Sequence, residues 1–281
     1  MRDRSTRTAV VFTVLALGFA VIYWIVVVLS RNGTLPFSMK HTDFGRESFA
    51  GNVVWLIFSN FGPALAGVIA LALCRGRGAV AELGRSLVRW RVRGWLYAAA
   101  WFGLVINGAV VIAGLPAHVL RFDPGAFAPV KFAFLYFVMI ALDGPLGEEI
   151  GWRGTLLPQL LEKLRPLPAA AMVGVIWYAW HVPLYAAEAR MTTLPAHLLF
   201  FYTCIALSII FTWFFLESKG STLLMIYLHN ASNYSTFLRF KLFPKIADSP
   251  VIAVTYCTLL FGFALAAGLA LCAKKSYASE L

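Results

Sequence analysis

Residues 8–30 read TAVVFTVLALGFAVIYWIVVVLS, a run without a single charged side chain. A helix of about 20 mostly apolar residues is what crosses the hydrocarbon core of a bilayer, so this stretch is expected to span. Arg2, Arg4 and Arg7 precede it and Arg31 follows. Its apolar stretch exceeds the roughly 7–15 residues of a secretory signal core and no small-residue cleavage site closes it, so it reads as a retained first span.

The pattern recurs. Further apolar segments fall at about 50–74, 95–117, 126–149, 168–188, 196–216, 221–238 and 250–273, and the same length criterion predicts about eight transmembrane helices. Composition agrees: 60% of the 281 residues are hydrophobic and 13% charged, with a mean hydropathy of +0.76, whereas soluble domains carry about 45–50% apolar and about 25% charged residues. The expected fold class is all-α: one polytopic membrane helical bundle over residues 1–281, multi-pass in a cell membrane of the bacterial plasma-membrane kind.

The chain has 24 Lys and Arg against 13 Asp and Glu. In a soluble protein that excess would point to nucleic acid; here its placement points to topology and to membrane lipids, with no nucleic-acid partner. Arg75, Arg77, Arg85, Arg89, Arg91 and Arg93 crowd one loop between spans. With the N-terminus inside, 15 of the 24 basic residues fall on the cytoplasmic side, so the positive-inside rule places both termini in the cytoplasm. The four cysteines are widely spaced, without a Cys-x-x-Cys pair, and indicate neither a disulfide framework nor a zinc–cysteine site. Residues 155–165, leucine-rich with polar residues between, are expected to form an amphipathic helix at the cytoplasmic interface.

Against this background GPLGEEIGWRGT, residues 144–155, stands out. Ionisable groups at bilayer depth cost about 2.5–3.5 kcal/mol even on lenient insertion scales, so they are retained for function and face protein or water. On a helix, residues four apart share a face, which lets Glu149 pair with Arg153 while Glu148, about 100° round, points elsewhere. Gly144, Pro145 and Gly147 weaken helical continuity just upstream. Broken backbone at membrane depth is tolerated where protein or a watery cavity satisfies it, so a wet pocket beside the carboxylates is expected.

The four-residue spacing returns in Trp177-Tyr-Ala-Trp-His181 and in His229-Asn-Ala-Ser-Asn233. Each segment offers one polar face. Of the five histidines, His41 falls in a charged loop and His118 and His197 at span edges, leaving His181 and His229 inside apolar helices. Taken singly, such residues are ordinary interhelical hydrogen-bonding groups worth about 0.6–2 kcal/mol. Together, a glutamate and two imidazoles in a damp pocket suit the activation of water. Glu148, His181 and His229 form a His₂Glu set able to hold one divalent metal such as zinc. Alternatively no cofactor is used: Glu148 takes a proton from water with help from His181, while His229 and Asn233 hydrogen-bond the developing oxyanion. His-Glu-x-x-His is absent, and an amide four residues from His229 suits an oxyanion better than a metal.

Glu148-Glu149-x-x-x-Arg153, an aromatic-x-x-x-His ending at His181, and His229-x-x-x-Asn233, in that order, resemble the CAAX protease and bacteriocin-processing (CPBP, or Abi) family of intramembrane proteases, relatives of the Ras-converting CAAX prenyl endopeptidases. The resemblance covers about residues 140–235. It implies an endopeptidase acting on a membrane-associated peptide or lipidated protein, with Glu148 and His181 activating water, His229 and Asn233 forming the oxyanion site, and Glu149 and Arg153 supporting the architecture. Trp177 departs from the family's more frequent Phe. These residues are expected to share a cavity open to the cytoplasmic half of the bilayer. The competing reading is a non-catalytic membrane scaffold or immunity-type protein of the same fold. A proton-coupled transporter would also use intramembrane Glu and His, but the two halves show no internal symmetry.

Overall fold

The first apolar run forms one helix, α1 (Arg2–Arg31), in a computed structural model that describes residues 2–42, 45–46, 48–114, 133–189, 192–243 and 250–274. Phe12, Ala16, Ala20, Tyr23 and Val27 recur at three- and four-residue spacing and are buried, whereas Val10, Val14, Val21 and Ile25 are exposed. An apolar helix with one stripe in the protein core and apolar side chains outside it is built for lipid.

A two-residue antiparallel ladder pairs His41–Thr42 with Gly45–Arg46; the other regular elements among the described residues are helical. Helix α2 (Phe49–Val54) starts where the Ser48 hydroxyl accepts the Gly51 amide, satisfying one of the unpaired donors of a helix start. It runs on through a π-helical stretch, Trp55–Asn60, and bends by 57° into α3 (Gly62–Cys74). Helices α4 (Arg77–Leu87), α5 (Gly94–Ala99), α6 (Phe102–Gly114), α7 (Ala133–Leu142) and α8 (Pro145–Gly151) follow. A second π-helical stretch, Trp152–Leu156, leads into α9 (Leu157–Leu161), then α10 (Pro166–Ala187), α11 (Leu194–Glu217), α12 (Thr222–Leu242) and α13 (Pro250–Ala273).

Five helical stretches are long and apolar enough to cross a membrane: Arg4–Arg31, Gly94–Gly114, Pro166–Ala187, Leu194–Glu217 and Val251–Ala273. The bent α2–α3 pair makes a sixth. Of the eight expected spans, the two that fall outside this set carry two of the three motifs. The 126–149 segment is divided at Asp143-Gly144 into α7 and α8, and its start, like the end of the 95–117 segment with His118, Lys131 and Lys275, lies outside the described residues. The 221–238 segment is helical within α12, but His229, Asn230 and Asn233 lower its hydropathy. Polar residues that make a site unmake a span by composition.

The stretch 155–165 is a correction. Thr155, Leu156, Leu157, Gln159, Leu160 and Leu161 are buried, and exposure begins at Glu162. The chain packs beneath α1 and α10 here, with Trp152 edge-on to Phe12 at 5.3 Å. Leucines facing protein on all sides leave no polar face for an interface.

The arginine-rich loop sits at one end of the bundle. Arg75 pairs with Glu162, Arg93 with Glu217 at 3.3 Å, and Lys274 with Glu217 at 3.0 Å, while Arg85 and Arg89 share Glu82. Exposed pairs contribute little stability individually, but these join the end of α3 to the end of α9, and the start of α5 and the end of α13 to the end of α11.

Helix α8 lies against the start of α3 at backbone contact. A Cβ on Gly147 would come 2.2 Å from the Asn60 carbonyl oxygen, and one on Gly151 would come 2.6 Å from the Pro63 carbonyl oxygen. Two small residues four apart let membrane helices approach this closely. Gly147→Ala and Gly151→Ala should each cost about 1–3 kcal/mol through overpacking, read as a lower thermal unfolding midpoint in lipid nanodiscs. Gly18→Ala, with no atom within 4 Å of the added carbon, serves as control; glycine variants of α8 melting with that control would sink the close-approach account.

Candidate active site

The break between α7 and α8 is built from sequence outward. Gly144 adopts φ 114°, in the left-handed half of backbone space that favours glycine. A Cβ there would also stand 3.0 Å from Glu148 Oε1. Asn60 clamps the turn from the neighbouring segment: its Nδ2 donates to the Leu142 carbonyl at 2.7 Å, and its Oδ1 accepts the Gly144 amide at 2.9 Å. Proline at the first position of α8 has no amide to leave unsatisfied. Glu148 is thereby presented one turn into a short helix, and its amide donates back to the Gly144 carbonyl.

The two adjacent carboxylates diverge, as helical geometry requires. Glu149 is fully buried, and its Oε1 accepts from Arg153 Nη1 at 2.7 Å and from His229 Nδ1 at 2.8 Å. Arg153 is equally buried and donates from Nη2 to Ser208 Oγ at 3.1 Å. Its guanidinium lies 4.9 Å from the Trp177 ring and 4.7 Å from Phe211, so two aromatic π-systems are within cation–π range. One carboxylate therefore ties α8 to α12, and through Arg153 to α10 and α11.

Glu148 faces the other way, into a cavity of about 810 Å³. Its Oε2 accepts the Trp177 indole N–H at 2.5 Å. Trp177 also lies 5.8 Å from the His181 ring and 5.4 Å from His229, centre to centre. His181 Nδ1 is 2.9 Å from the Trp177 carbonyl. A carbonyl oxygen only accepts, so Nδ1 carries the proton and the basic nitrogen of the neutral ring is Nε2. Glu148, His181, His229 and Asn233 all line this one cavity, while Glu149 and Arg153 lie behind its wall.

Three features lay beyond the sequence reading. His229 is not a free donor: Nδ1 is committed to Glu149, so it serves the cavity through Nε2, which donates only when the ring is a cation. Trp177 is a hydrogen-bond donor to Glu148 as well as a packing ring, which the Phe usual in the resembled family would not be. Asn60, Ser208 and Phe211 hold the site from elements without motifs, and only tertiary contact identifies them.

The cavity lies towards one end of the bundle. Its lining comes from the C-terminal halves of α10 and α12 and the N-terminal parts of α11 and α13, reaching Glu188, Ala196, Arg239 and Ile252. The opposite ends of those helices carry the arginine pairs. Termini in the cytoplasm and a cavity open to the cytoplasmic half of the bilayer therefore exclude one another, because His181 lies fifteen residues, about 22 Å, along α10 from the basic end.

Among the described residues no group of three or more His, Cys, Asp and Glu side chains is arranged to hold a metal ion. Glu148 Oε2 accepts from the indole and His229 Nδ1 donates to Glu149, the second being a bond that a metal-ligating imidazole also makes.

Residues 129–235 match the family described as Type II CAAX prenyl endopeptidase Rce1-like, a region that holds every motif residue named above. Over 161 residues the chain is 28% identical to CAAX prenyl protease 2 of Methanococcus maripaludis, covering 55% of this chain and 54% of that protein. The chain thus spans about half the length of the curated relative it matches. Both comparisons support the CPBP and Rce1-like resemblance carried by the motifs.

Removing one partner of a buried ion pair costs about 3–5 kcal/mol because the remaining charge is uncompensated. Arg153→Ala should therefore lower the thermal unfolding midpoint sharply, with Arg153→Lys intermediate because an ammonium lacks the fork that reaches Glu149 and Ser208 together. An Arg153→Ala protein with wild-type stability would show that the Glu149–Arg153 contact is not structural.

Proposed function

We propose that this protein is an intramembrane endopeptidase that hydrolyses a peptide bond of a membrane-associated, lipidated protein or small peptide precursor, using Glu148 as general base and no metal. The observation that carries the reading is the convergence of Glu148, His181, His229 and Asn233, from three helices, on one cavity in an otherwise apolar chain.

The hydrogen-bond directions suit this chemistry. Glu148 Oε1 and His181 Nε2 are both acceptors, and water has two protons to give, so a water held between them points a lone pair towards a bound carbonyl. Glu148 takes one proton as oxygen attacks carbon, and later passes it to the leaving amine. The Trp177 indole fixes the other oxygen of Glu148 and so its orientation. Charge developing on the carbonyl oxygen would be met by Asn233 Nδ2 and by His229, whose ring is held in place by Glu149. The cavity is large enough for a short peptide, and apolar residues such as Leu199, Phe200 and Leu207 on its wall suit hydrophobic side chains.

Purified protein in lipid nanodiscs, incubated with prenylated and unmodified peptides and followed by mass spectrometry, tests the assignment. Wild type should cleave, and Glu148→Gln should lose at least about two orders of magnitude of rate, within the 10²–10⁴-fold range of general acid–base catalysis, while melting as wild type does. Activity retained by Glu148→Gln would remove Glu148 as base. Partner binding without any proteolysis would favour the scaffold. Activity that chelation abolishes and zinc restores would replace the metal-free chemistry.

A further inference from the structure

At the end of the bundle that carries the arginine pairs lies a second cavity, of about 630 Å³, which peptide hydrolysis does not use. It is enclosed by the ends of α3 and α11, by α4 and α9, by the π-helical stretch before α9 and by the start of α12. Leu71, Leu83, Leu161 and Phe215 give it apolar walls, and Arg75, Arg89 and Lys219 line it together with Glu82 and Glu162.

This lining holds polar atoms that nothing inside the protein satisfies. Gln159 is 6% exposed, and its Oε1 is buried without a hydrogen-bond partner. Arg153, whose Nη1 and Nη2 serve Glu149 and Ser208, also belongs to the lining and keeps a buried Nε without a partner. Buried polar groups are paired in the great majority of native structures, and an orphan at a cavity wall points to a group from outside the chain that completes it.

The charges around Gln159 do not cancel. Arg75 is matched by Glu162 and Arg153 by Glu149, while Glu82 is shared between Arg89 and Arg85, the latter outside the lining. Lys219 is exposed and forms no ion pair among the described residues. It stands at φ 53°, followed by Gly220 at φ 80°, in the turn that leads to the Ser221 cap of α12. Thr222, the first residue of α12, is in the lining too, so the positive end of that helix dipole adds to the field.

One positive charge in excess is what a phosphodiester balances, since it carries a single negative charge. The amide of Gln159 gives an N–H to a phosphate oxygen and leaves its Oε1 in need of a donor, which a hydroxylated alcohol such as glycerol has and choline lacks. Basic pockets between membrane helices hold anionic headgroups in this way. We infer that this cavity binds one anionic phosphodiester with a hydroxylated headgroup, held by Lys219 and Gln159.

The test is the thermal unfolding midpoint of the full chain in neutral detergent, titrated with phosphatidylglycerol, with phosphatidylcholine and with water-soluble glycerophosphoglycerol. A ligand that binds the folded state alone raises the midpoint saturably. Phosphatidylglycerol should do so and phosphatidylcholine should not. Gln159→Met and Lys219→Gln should each weaken the apparent affinity about ten- to hundredfold, the range of a hydrogen bond to a charged group. Arg91→Gln, at the same end but outside the lining, should bind as wild type does. Without lipid, Gln159→Met should melt no lower than wild type, because Oε1 has no internal bond to lose. Saturation by glycerophosphoglycerol with the same variant losses would keep the site and assign it to a free phosphodiester.

Equal stabilisation by phosphatidylcholine would overturn the inference, as would a midpoint that never saturates or an affinity untouched by Gln159→Met. Equal losses in Lys219→Gln and Arg91→Gln would reduce the effect to general surface charge and overturn it as well. If Gln159→Met fails to fold, Lys219→Gln, at an exposed turn, decides against the Arg91→Gln control. No arm requires peptide cleavage, so the outcome stands apart from the peptidase reading.

Discussion

The structure depends on one oxygen. Glu149 Oε1 accepts from Arg153 and His229 at once, deep in a protein whose surroundings offer no water to compensate a charge. A buried pair is costly to desolvate and is tolerated when good geometry and further hydrogen bonds repay the loss. Here Ser208 takes a second guanidinium nitrogen, and Trp177 and Phe211 pack against it. The pair, His229, Ser208 and the two rings come from α8, the following π-helical stretch, α10, α11 and α12. Packing in lipid has little hydrophobic drive, so this knot gives the helices around the cavity a fixed relation.

That knot frees the neighbouring carboxylate. With Glu149 turned inward, helical geometry turns Glu148 towards the cavity, and the Asn60 clamp on Gly144 sets where α8 begins. The glycines of α8 bring it against α3. Polar backbone at a helix break needs satisfaction at membrane depth, and Asn60 supplies it with one side chain used at both ends. The same residues that interrupt the apolar 126–149 segment therefore create the space in which a polar side chain is useful.

Trp177 links the two halves of the arrangement. Its ring covers Arg153 in the structural layer and its N–H reaches Glu148 in the cavity layer, while its carbonyl holds the His181 tautomer. An aromatic ring of any kind would serve the first task; only a ring with a donor serves the second. This chain's Trp at that position is thus chemically distinct from a Phe.

The sequence by itself determined what periodicity and composition can report. Runs such as 8–30 require lipid, spacing of four pairs Glu149 with Arg153, and Gly144-Pro145 breaks a helix, because each follows from local backbone geometry and the length of a bilayer span. The three motifs named Glu148, His181, His229 and Asn233, which are among the residues that line the cavity. Only the tertiary structure decided the rest. That His229 is tied to Glu149, that Asn60 holds the Gly144 turn, and that residues 155–161 are buried all depend on partners 80 or more residues away or on which faces neighbouring helices cover. The end of the bundle at which the cavity opens was likewise invisible to a count of basic residues, since that count orients helices but does not say how far along them a site lies.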